Sequence, residues 1–332
     1  MKTPAALLPD LPVLTARLTT ALNSSGWSNG PLQVLDRKLP QMMSTFPNET
    51  VVCRLSNGRK HRIFVKYEAG KSHDCYGHRG GVRYEAQVYQ AILQNYPGFR
   101  PRLLGAHTDP QTGETWLILE FLDRCVRVSD ISVRQATRQP AAMMQAASWI
   151  GRFHAAQENP SANNGLAFLK QYDREYYSGW CRRTAELTRP LHQRFPWLPQ
   201  LCELEEEWLK ILLAAPWTII HGEFYAKTVM FRDQTIYILD WESTAIAAGE
   251  IDLAAMTEGI YWPETMVRDC ERHYQRARWP EGPPANFKRT LDASRIYLHF
   301  RWLGERPDWA TREKTMWRYD QLYAAAKRLG MI

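Results

Sequence analysis

The chain has 332 residues, of which 45% are hydrophobic and 23% are charged, a composition typical of a globular protein. This length is too great for one small domain, and it fits one two-lobed unit or two domains that share an interface. The formal net charge of +7 favours anionic partners such as nucleotide phosphates, acidic metabolites or nucleic acid. Because the basic residues are scattered and no zinc-finger, RRM or basic-zipper pattern is present, the sequence argues against nucleic-acid binding.

Cysteine usage and hydropathy bear on the compartment. The six cysteines are widely spaced and form no CxxC pair, which is typical of free thiols in a reducing compartment. Prolines and Asp10 interrupt the apolar residues near the N-terminus, so no signal peptide is predicted. No apolar run reaches the roughly 18 residues that a membrane span needs. The sequence therefore predicts a soluble, cytoplasmic protein without a membrane segment, and it gives no indication of oligomeric state.

The first third of the chain is rich in predicted strands. Asp10 is placed to cap a helix that carries leucines at helical spacing and ends near Gly26. The Asn57-Gly58 pair is a strong hairpin signal, because both residues can take positive φ. Strands are predicted at Leu32–Leu35, Thr50–Leu55, Arg62–Tyr67 and Thr115–Phe121, and a helix at Val82–Gln94.

After a polar segment, Asp123–Asp130, the pattern becomes helical. A strand at Trp217–Ile220 and a hairpin around Asp233 interrupt it. The order is a strand-rich first third followed by a helix-rich remainder, which predicts an α+β fold with two lobes. Helices are predicted over residues 140–154, over Tyr172–Leu187 and Leu201–Leu213, and over most of the chain after Asp252.

Two strand ends in the second half carry carboxylates. The strand that ends at Ile220 is followed by His221, Gly222 and Glu223, and the second strand of the hairpin leads into Asp240. Carboxylates on neighbouring loops can converge on one point. Such an arrangement suits phosphoryl transfer, in which one group orients the attacking hydroxyl and others hold Mg²⁺ against the phosphates.

The segment from His221 to Ala254 resembles the H-G-D-x-x-x-x-N loop, the following I-D-W-E motif and the later G-x-x-x-D-L-A segment of aminoglycoside phosphotransferases and their relatives. This family is the small-molecule branch of the protein-kinase fold, and here its loop reads H-G-E-F-Y. The resemblance implies a two-lobed protein-kinase-like fold with a nucleotide-binding lobe over residues 1–122 and a helical catalytic and substrate-binding lobe over residues 123–332. It also implies ATP or GTP and Mg²⁺ as cofactors, and a small hydroxylated metabolite or antibiotic-like compound as acceptor.

Carried over residue by residue, the resemblance gives each matching position a role. Glu223 takes the catalytic position, and His221 belongs to the catalytic loop, which it is expected to hold through hydrogen bonds to the backbone. Thr228 and Asp240 take the two metal-binding positions. Asp252 would open a helix and brace the loop from behind.

Two of these positions depart from the family pattern. Glu223 replaces an aspartate, and Thr228 replaces an asparagine. The added methylene moves a carboxylate by roughly 1.5 Å, one carbon–carbon bond. Because a misplacement of about 1 Å can cost on the order of 10²-fold in rate, two hypotheses stay open: an active phosphotransferase, and a nucleotide-binding or scaffold protein that has lost transfer activity.

The first third supplies an independent pairing. Lys66 lies on one face of the strand Arg62–Tyr67, and Glu85 lies within an apolar stripe of the next helix. A carboxylate in an apolar stripe is costly to bury unless it is paired, and Lys66 is its natural partner. A strand lysine paired with a helix glutamate positions ATP phosphates in kinases.

Other nucleotide contacts are predicted only by position. No glycine-rich phosphate loop is present between the first two strands, where the backbone amides of Ser44 and Thr45 are the candidates and a plain turn is the alternative. The segment Glu120, Phe121 and Leu122 falls where an adenine-binding hinge belongs.

Several further residues have weaker interpretations. His73, Cys75 and His78 lie close together but lack a fourth metal ligand, which favours an exposed loop. His154 is expected to be structural. For the acceptor, Glu258 and Glu264 offer some acidity, but the net basic charge does not support a strongly cationic substrate.

Overall fold

A computed structural model of the chain forms two compact units. The first, called the sheet unit, comprises Met1–Cys125 and Tyr237–Ser243, and the second, called the helical unit, comprises Val126–Ile236 and Thr244–Ile332. The sheet unit thus extends three residues beyond the predicted boundary at 122 and also takes in a segment of the second half. The structure describes residues 8–39, 45–68, 76–96, 98–130, 138–160, 164–259 and 262–332.

Within its described residues, the sheet unit contains two α-helices and a five-stranded sheet with the strand order β1-β2-β3-β5-β4. All neighbouring strands in this sheet run antiparallel. The elements, in chain order, are α1 (Leu11–Ser24), β1 (Gln33–Lys38), β2 (Asn48–Arg54), β3 (Lys60–Tyr67), α2 (Gly81–Ala91), β4 (Leu103–Thr108) and β5 (Thr115–Glu120).

Local sequence signals account for most of these elements. The Asp10 carboxylate accepts a hydrogen bond from Val13 N (2.8 Å) and caps α1. Gly58 has a φ of +80° in the turn between β2 and β3. Leucines of α1 and apolar residues from alternate positions of the strands form one buried core. The strand β4 was not predicted; it contains a glycine and its register shifts between Leu103 and Gly105, and both features weaken a strand signal.

The helical unit is built around α9, which is buried on almost every side. Its elements, in chain order, are β6 (Val126–Arg127), α3 (Arg138–Ala156), β7 (Lys170–Gln171), α4 (Arg174–Leu187), α5 (Trp197–Glu203), α6 (Glu205–Leu213), β8 (Trp217–Ile220), β9 (Val229–Arg232), β10 (Thr235–Ile238), β11 (Ala245–Ala248), α7 (Glu250–Met256), α8 (Glu264–Arg278), α9 (Phe287–Glu305), α10 (Pro307–Thr311) and α11 (Trp317–Arg328). The strand β10 continues from this unit into the sheet unit.

Two small sheets position the loops of the helical unit. One has the order β7-β11-β8, and β8 leads directly into the loop that begins at His221. In the other, β9 lies between β6 and β10. The predicted helix over Leu201–Leu213 is divided into α5 and α6, because three glutamates after Leu204 favour a new helix start. In the described part of the chain no helix is both long enough and apolar enough to cross a membrane.

Candidate active site

A buried lysine shared by three carboxylates occupies the sheet unit. Lys66 Nζ lies 2.7 Å from Glu85 Oε2, 2.5 Å from Glu242 Oε2 and 3.6 Å from Asp240 Oδ1. Lys66 extends from β3, Glu85 from α2, and the other two carboxylates follow β10. We call these four residues the lysine cluster. The predicted pairing of Lys66 with Glu85 is present in the structure, and Glu242 is a partner that the sequence did not indicate.

The charges in the lysine cluster shift one another's protonation. Burial opposes the charge on Lys66, but the surrounding carboxylates outweigh it and raise the pKa of the lysine well above its usual value. Burial raises the pKa of Glu85, while the charge of Lys66 opposes this shift. Arg79 also pairs with Glu242, so two cations face three carboxylates and cannot fully compensate them. The cluster therefore carries excess negative charge when all three carboxylates are ionised.

Asp240 differs from the other two carboxylates because its side chain is 49% exposed. Its backbone has a φ of +61°, a conformation that few non-glycine residues adopt and that is often found at functional sites. The next residue, Trp241, donates its backbone N–H to Glu85 Oε1 (3.1 Å), which holds the segment against α2. Glu242, by contrast, is buried and also pairs with Arg79 (3.4 Å).

The lysine cluster fits a magnesium ion that is bound together with phosphates. No group of three or more His, Cys, Asp or Glu side chains within the described residues has the geometry to hold a metal ion alone. Mg²⁺ commonly uses only one or two protein carboxylates, with substrate phosphates and waters completing its coordination. Asp240, half-exposed and adjoining a region of excess negative charge, has the chemistry that such a site requires.

The other nucleotide candidates lie beside the ends of strands of the same sheet. Thr45 is partly exposed and precedes Phe46, whose ring centre is 5.5 Å from Lys66 Nζ. Glu120 ends β5, where its backbone pairs with Ile63. Phe121 and Leu122 follow the strand as partly exposed residues, and Ser44 lies outside the described residues.

The loop at 221–228 in the helical unit is held by one aspartate. Asp252 at the start of α7 accepts the backbone N–H groups of His221 (2.6 Å) and Gly222 (2.9 Å). His221 Nδ1 accepts the backbone N–H of Glu223 (3.2 Å), so its ring supports the loop from within. Asp252 therefore lies behind the loop, as the resemblance implied.

A second histidine fixes Asp252. His154 on α3 is fully buried, with Nε2 3.1 Å from Asp252 Oδ2 and Nδ1 2.9 Å from Tyr274 Oη. Burial lowers the pKa of His154 to about 4, although the hydrogen bond to Asp252 opposes this shift. The ring is thus neutral at physiological pH. These contacts are those of a structural histidine.

Glu223 is buried and bonded to an arginine. One Glu223 carboxylate oxygen pairs with Nη2 of Arg301 on α9, and Nη1 of the same guanidinium lies 3.1 Å from Glu305 Oε2. Glu223, Arg301 and Glu305 are each no more than about a twentieth exposed. We call these three residues the arginine triad. The carboxylate of Glu223, which stands one methylene farther from the backbone than that of an aspartate, pairs with Arg301.

Thr228 is also buried, and its hydroxyl lies inside the loop. Its Oγ1 is 2.9 Å from the carbonyl oxygen of Tyr225 and 3.1 Å from that of Glu223. One hydroxyl hydrogen can be donated to only one of these carbonyls at a time, and the oxygen lone pairs are left to accept a bond or a metal ion.

Arg301 is the main site residue that sequence reasoning missed. It lies 78 residues beyond Glu223 on a helix that carries no motif. The only available signal was a charged residue at a position surrounded by apolar and aromatic residues of α9, since a charge is rarely buried without a partner.

Comparisons with known proteins agree with this architecture. Residues 74–285 match the sequence profile of the phosphotransferase enzyme family. No curated protein sequence matches the chain significantly.

Solved structures of small-molecule kinases are similar to the chain at low sequence identity. A putative aminoglycoside phosphotransferase from Ralstonia eutropha is 14% identical with a TM-score of 0.65, and the alignment covers 97% of this chain and 96% of that one. A choline kinase from Cryptosporidium parvum is 16% identical with a TM-score of 0.62, with coverage of 97% and 98%. An amicoumacin kinase, solved with AMP-PNP, Ca²⁺ and its ligand, is 9% identical with a TM-score of 0.55, with coverage of 97% and 93%. At these identities the likeness establishes the fold, and the predicted α+β kinase-like fold is confirmed.

Proposed function

The chain belongs to the phosphotransferase enzyme family, and we propose that it transfers the terminal phosphoryl group of ATP or GTP to a hydroxyl of a small metabolite or antibiotic-like compound. The observation that carries this proposal is the lysine cluster, in which a buried lysine is held by a helix glutamate beside a half-exposed aspartate. In the reaction, the acceptor oxygen forms a bond to the γ-phosphorus, the bond from that phosphorus to the bridging oxygen breaks, and the nucleoside diphosphate leaves.

The sheet unit would bind the nucleotide. Lys66, fixed by Glu85 and Glu242, would bind the α- and β-phosphates with a permanently charged ammonium group. The backbone amides near Ser44 and Thr45 would contact a phosphate.

The adenine or guanine base would lie against the hinge segment. There Glu120, Phe121 and Leu122 would offer backbone hydrogen bonds to the base. Side chains at the hinge do not determine such backbone contacts, which leaves ATP and GTP as equal candidates.

Asp240 and Thr228 would hold Mg²⁺. The ion would neutralise charge on the phosphates, which is the chemistry it supplies when bound. Asp240 contributes a half-exposed carboxylate and Thr228 a hydroxyl oxygen with lone pairs available. The family likeness supports both assignments, because the two residues occupy the metal-binding positions of its motifs.

Glu223 would orient the acceptor hydroxyl. Its pairing with Arg301 fixes the direction of the carboxylate, so the group acts by accepting a hydrogen bond from the hydroxyl. The hydroxyl proton leaves to Glu223 or to solvent as the new oxygen–phosphorus bond forms. His221 would keep the loop in place through its contact with the Glu223 backbone.

A second candidate is a nucleotide-binding protein without transfer activity. It is favoured by the same ion pair, because the buried arginine already engages one oxygen of the Glu223 carboxylate. The two functions share the lysine cluster and differ only in whether Glu223 serves an acceptor.

A screen for nucleoside diphosphate release separates the two functions. The protein would be incubated with ATP or GTP, Mg²⁺ and a library of hydroxylated metabolites. We expect release that depends on both Mg²⁺ and one class of acceptor, and Asp240→Asn should reduce it by well over about 10²-fold because a charge that stabilises the transition state is lost.

Two results would contradict the proposal. Nucleotide binding in a thermal-shift assay without release for any acceptor would support the second candidate. Release by Asp240→Asn within a few-fold of the unchanged protein would place the active site elsewhere. As a control, Asp123→Asn alters an exposed carboxylate of the sheet unit that pairs with Arg62, and it should leave release unchanged.

A further inference from the structure

An aromatic shelf lies next to the arginine triad in the helical unit. Tyr225 is on the 221–228 loop, Trp302 is on α9, and Trp309 is on α10; we call these three residues the aromatic shelf. Trp302 Nε1 donates a hydrogen bond to the Tyr225 hydroxyl (2.8 Å), and the Trp302 and Trp309 rings stack with centres 4.8 Å apart. The indoles of Trp302 and Trp309 are partly exposed, so the shelf presents apolar surface to solvent. Its third member, Tyr225, is two residues after Glu223 in the sequence.

Protein cations already occupy the faces of these rings. Lys227 Nζ lies 5.0 Å from the centre of the Tyr225 ring and 5.7 Å from that of Trp302. The guanidinium of Arg318 lies 4.3 Å from the Trp302 ring and 4.4 Å from the Trp317 ring. Each distance is within the range of a cation–π contact. A quaternary ammonium or polyamine acceptor would need the same ring faces, and it would meet fixed positive charges there.

The carboxylates that a cationic acceptor would need are also paired. Both oxygens of Glu258 accept from Arg318, at 3.0 and 3.2 Å, in a bidentate pair. Glu264 accepts from Arg268 at 2.6 Å. The two carboxylates of the arginine triad share Arg301. The carboxylates of Glu258 and Glu264, which the sequence suggested as acidic groups for the acceptor, therefore form ion pairs with arginines. Little negative charge is left at these carboxylates to attract a cation.

Lys227 is different from the arginines of this region. Its side chain is exposed, and within the ranges that the structure describes no carboxylate oxygen lies within 4 Å of its ammonium nitrogen. Its contacts are the two rings of the shelf, which hold the ammonium group without neutralising it. Lys227 also lies on the same short loop as Glu223. The loop thus carries the carboxylate of Glu223 and, four residues later, a positive charge that no carboxylate of the described residues pairs with.

We propose that the acceptor is a hydroxylated acid, a small molecule that carries a carboxylate or phosphate group in addition to the hydroxyl that is phosphorylated. Lys227 binds the anionic group, and the surface of Trp302 and Trp309 that stays exposed contacts the body of the molecule. This inference rests on the proposed phosphotransferase function and names its class of substrate. Because Lys227 is exposed, solvent partly screens its charge-assisted hydrogen bond to the anion, which should change acceptor affinity by about five-fold.

The test divides the acceptor library into hydroxylated acids, neutral alcohols and amino alcohols, and includes gluconate, glucose and glucosamine as a matched trio. We expect diphosphate release with acids in preference to the other two classes. In Lys227→Gln the KM for the acid should rise about five-fold, while kcat and the KM for the nucleotide should change by less than about two-fold. Lys210→Gln is the matched control, because Lys210 is an exposed lysine of the same unit that pairs with Glu207, and its KM should not change.

Preferred use of amino alcohols or neutral alcohols would overturn the proposal, as would an acid KM that is unchanged in Lys227→Gln. Substitution of phosphate esters for carboxylates within the acid class separates the two anionic groups. If no compound causes diphosphate release, the proposed function fails. Binding of the same compounds is then measured by tryptophan fluorescence. Acid-dependent quenching that is lost in Lys227→Gln would still support the anion site, and its absence would reject the site independently of transfer.

Discussion

The two units each contain a buried cation shared by carboxylates, but the two clusters are built for different tasks. The lysine cluster includes one half-exposed member, Asp240, and its three carboxylates outnumber the two cations that pair with them, Lys66 and Arg79. In the arginine triad all three side chains are buried. An open cluster with excess negative charge can bind a metal ion and phosphates, whereas a closed one fixes the direction of a side chain. The exposure of one carboxylate, rather than the presence of a buried ion pair, therefore separates the cluster that can bind a ligand from the cluster that positions a side chain.

The largest effect is expected from breaking the closed cluster. Arg301→Gln removes the guanidinium that pairs with Glu223 and Glu305, and removal of one partner of a buried ion pair typically costs about 3–5 kcal/mol in the free energy of unfolding. Urea denaturation followed by circular dichroism measures this loss. In the double variant with Glu223→Gln, the combined loss should be smaller than the sum of the two single losses, because the residues act as a unit.

The control for this experiment is Arg295→Gln on the same helix. Arg295 is 21% exposed, and its partners Glu271 and Asp292 have other cations, Lys288 and Arg328. Its loss should therefore cost about 1 kcal/mol or less. Equal losses for Arg295→Gln and Arg301→Gln would remove the distinction between the closed triad and an ordinary half-buried pair.

The second effect concerns pH. Acidification should lower the contribution of His154 to the stability of the helical unit and raise the contribution of Glu85 to that of the sheet unit. His154 is buried as a neutral ring with a pKa of about 4, below the ordinary value of 6.5. Its contribution to stability is present above pH 6.5 and is lost as the pH falls through 4, because the unfolded chain binds the proton first. A shift of this size corresponds to about 3 kcal/mol at most. Unfolding by urea at several pH values measures the loss, and His154→Asn should remove the pH-dependent part.

Glu85 in the lysine cluster provides the contrast. Its folded pKa is raised, so its contribution is present at low pH and is lost as the pH rises through that raised value. Hydrogen exchange of the two units as a function of pH would display the difference. Parallel loss of protection in both units on acidification alone would contradict these assignments.

The smallest effect is expected for the pairing within the lysine cluster. Lys66→Ala should weaken nucleotide binding, and Glu85→Ala should do so more mildly, because Glu242 still holds the lysine at 2.5 Å. The double variant should resemble Lys66→Ala, with a coupling energy of about 0.5–3 kcal/mol, as measured by nucleotide titration. Arg62→Ala, which breaks the exposed pair with Asp123, is the control. Its effect on nucleotide binding should add to that of Lys66→Ala without coupling. Strictly additive effects of Lys66→Ala and Glu85→Ala would show that the two residues do not act as a unit.

Sequence patterns were sufficient where local chemistry decides the structure. The cap at Asp10, the turn at Gly58 and the alternation that places Lys66 within β3 depend on neighbouring residues, and they appear as predicted. Patterns failed where burial replaces propensity. The strand β11 consists of one isoleucine and three alanines, and alanine is depleted in strands. Every residue of β11 is nevertheless buried between β7 and β8.

The sequence by itself determined the fold, the order of its parts and the candidate residues of the two loops. Its motifs span short stretches, so their spacing along the chain carries the information. Only the tertiary structure decided the partners: Glu242 lies 176 residues from Lys66, Arg301 lies 78 residues from Glu223, and Arg318 lies 60 residues from Glu258. Such contacts depend on how helices and strands pack. A charged residue must find a partner when it is buried, but the sequence does not specify which one.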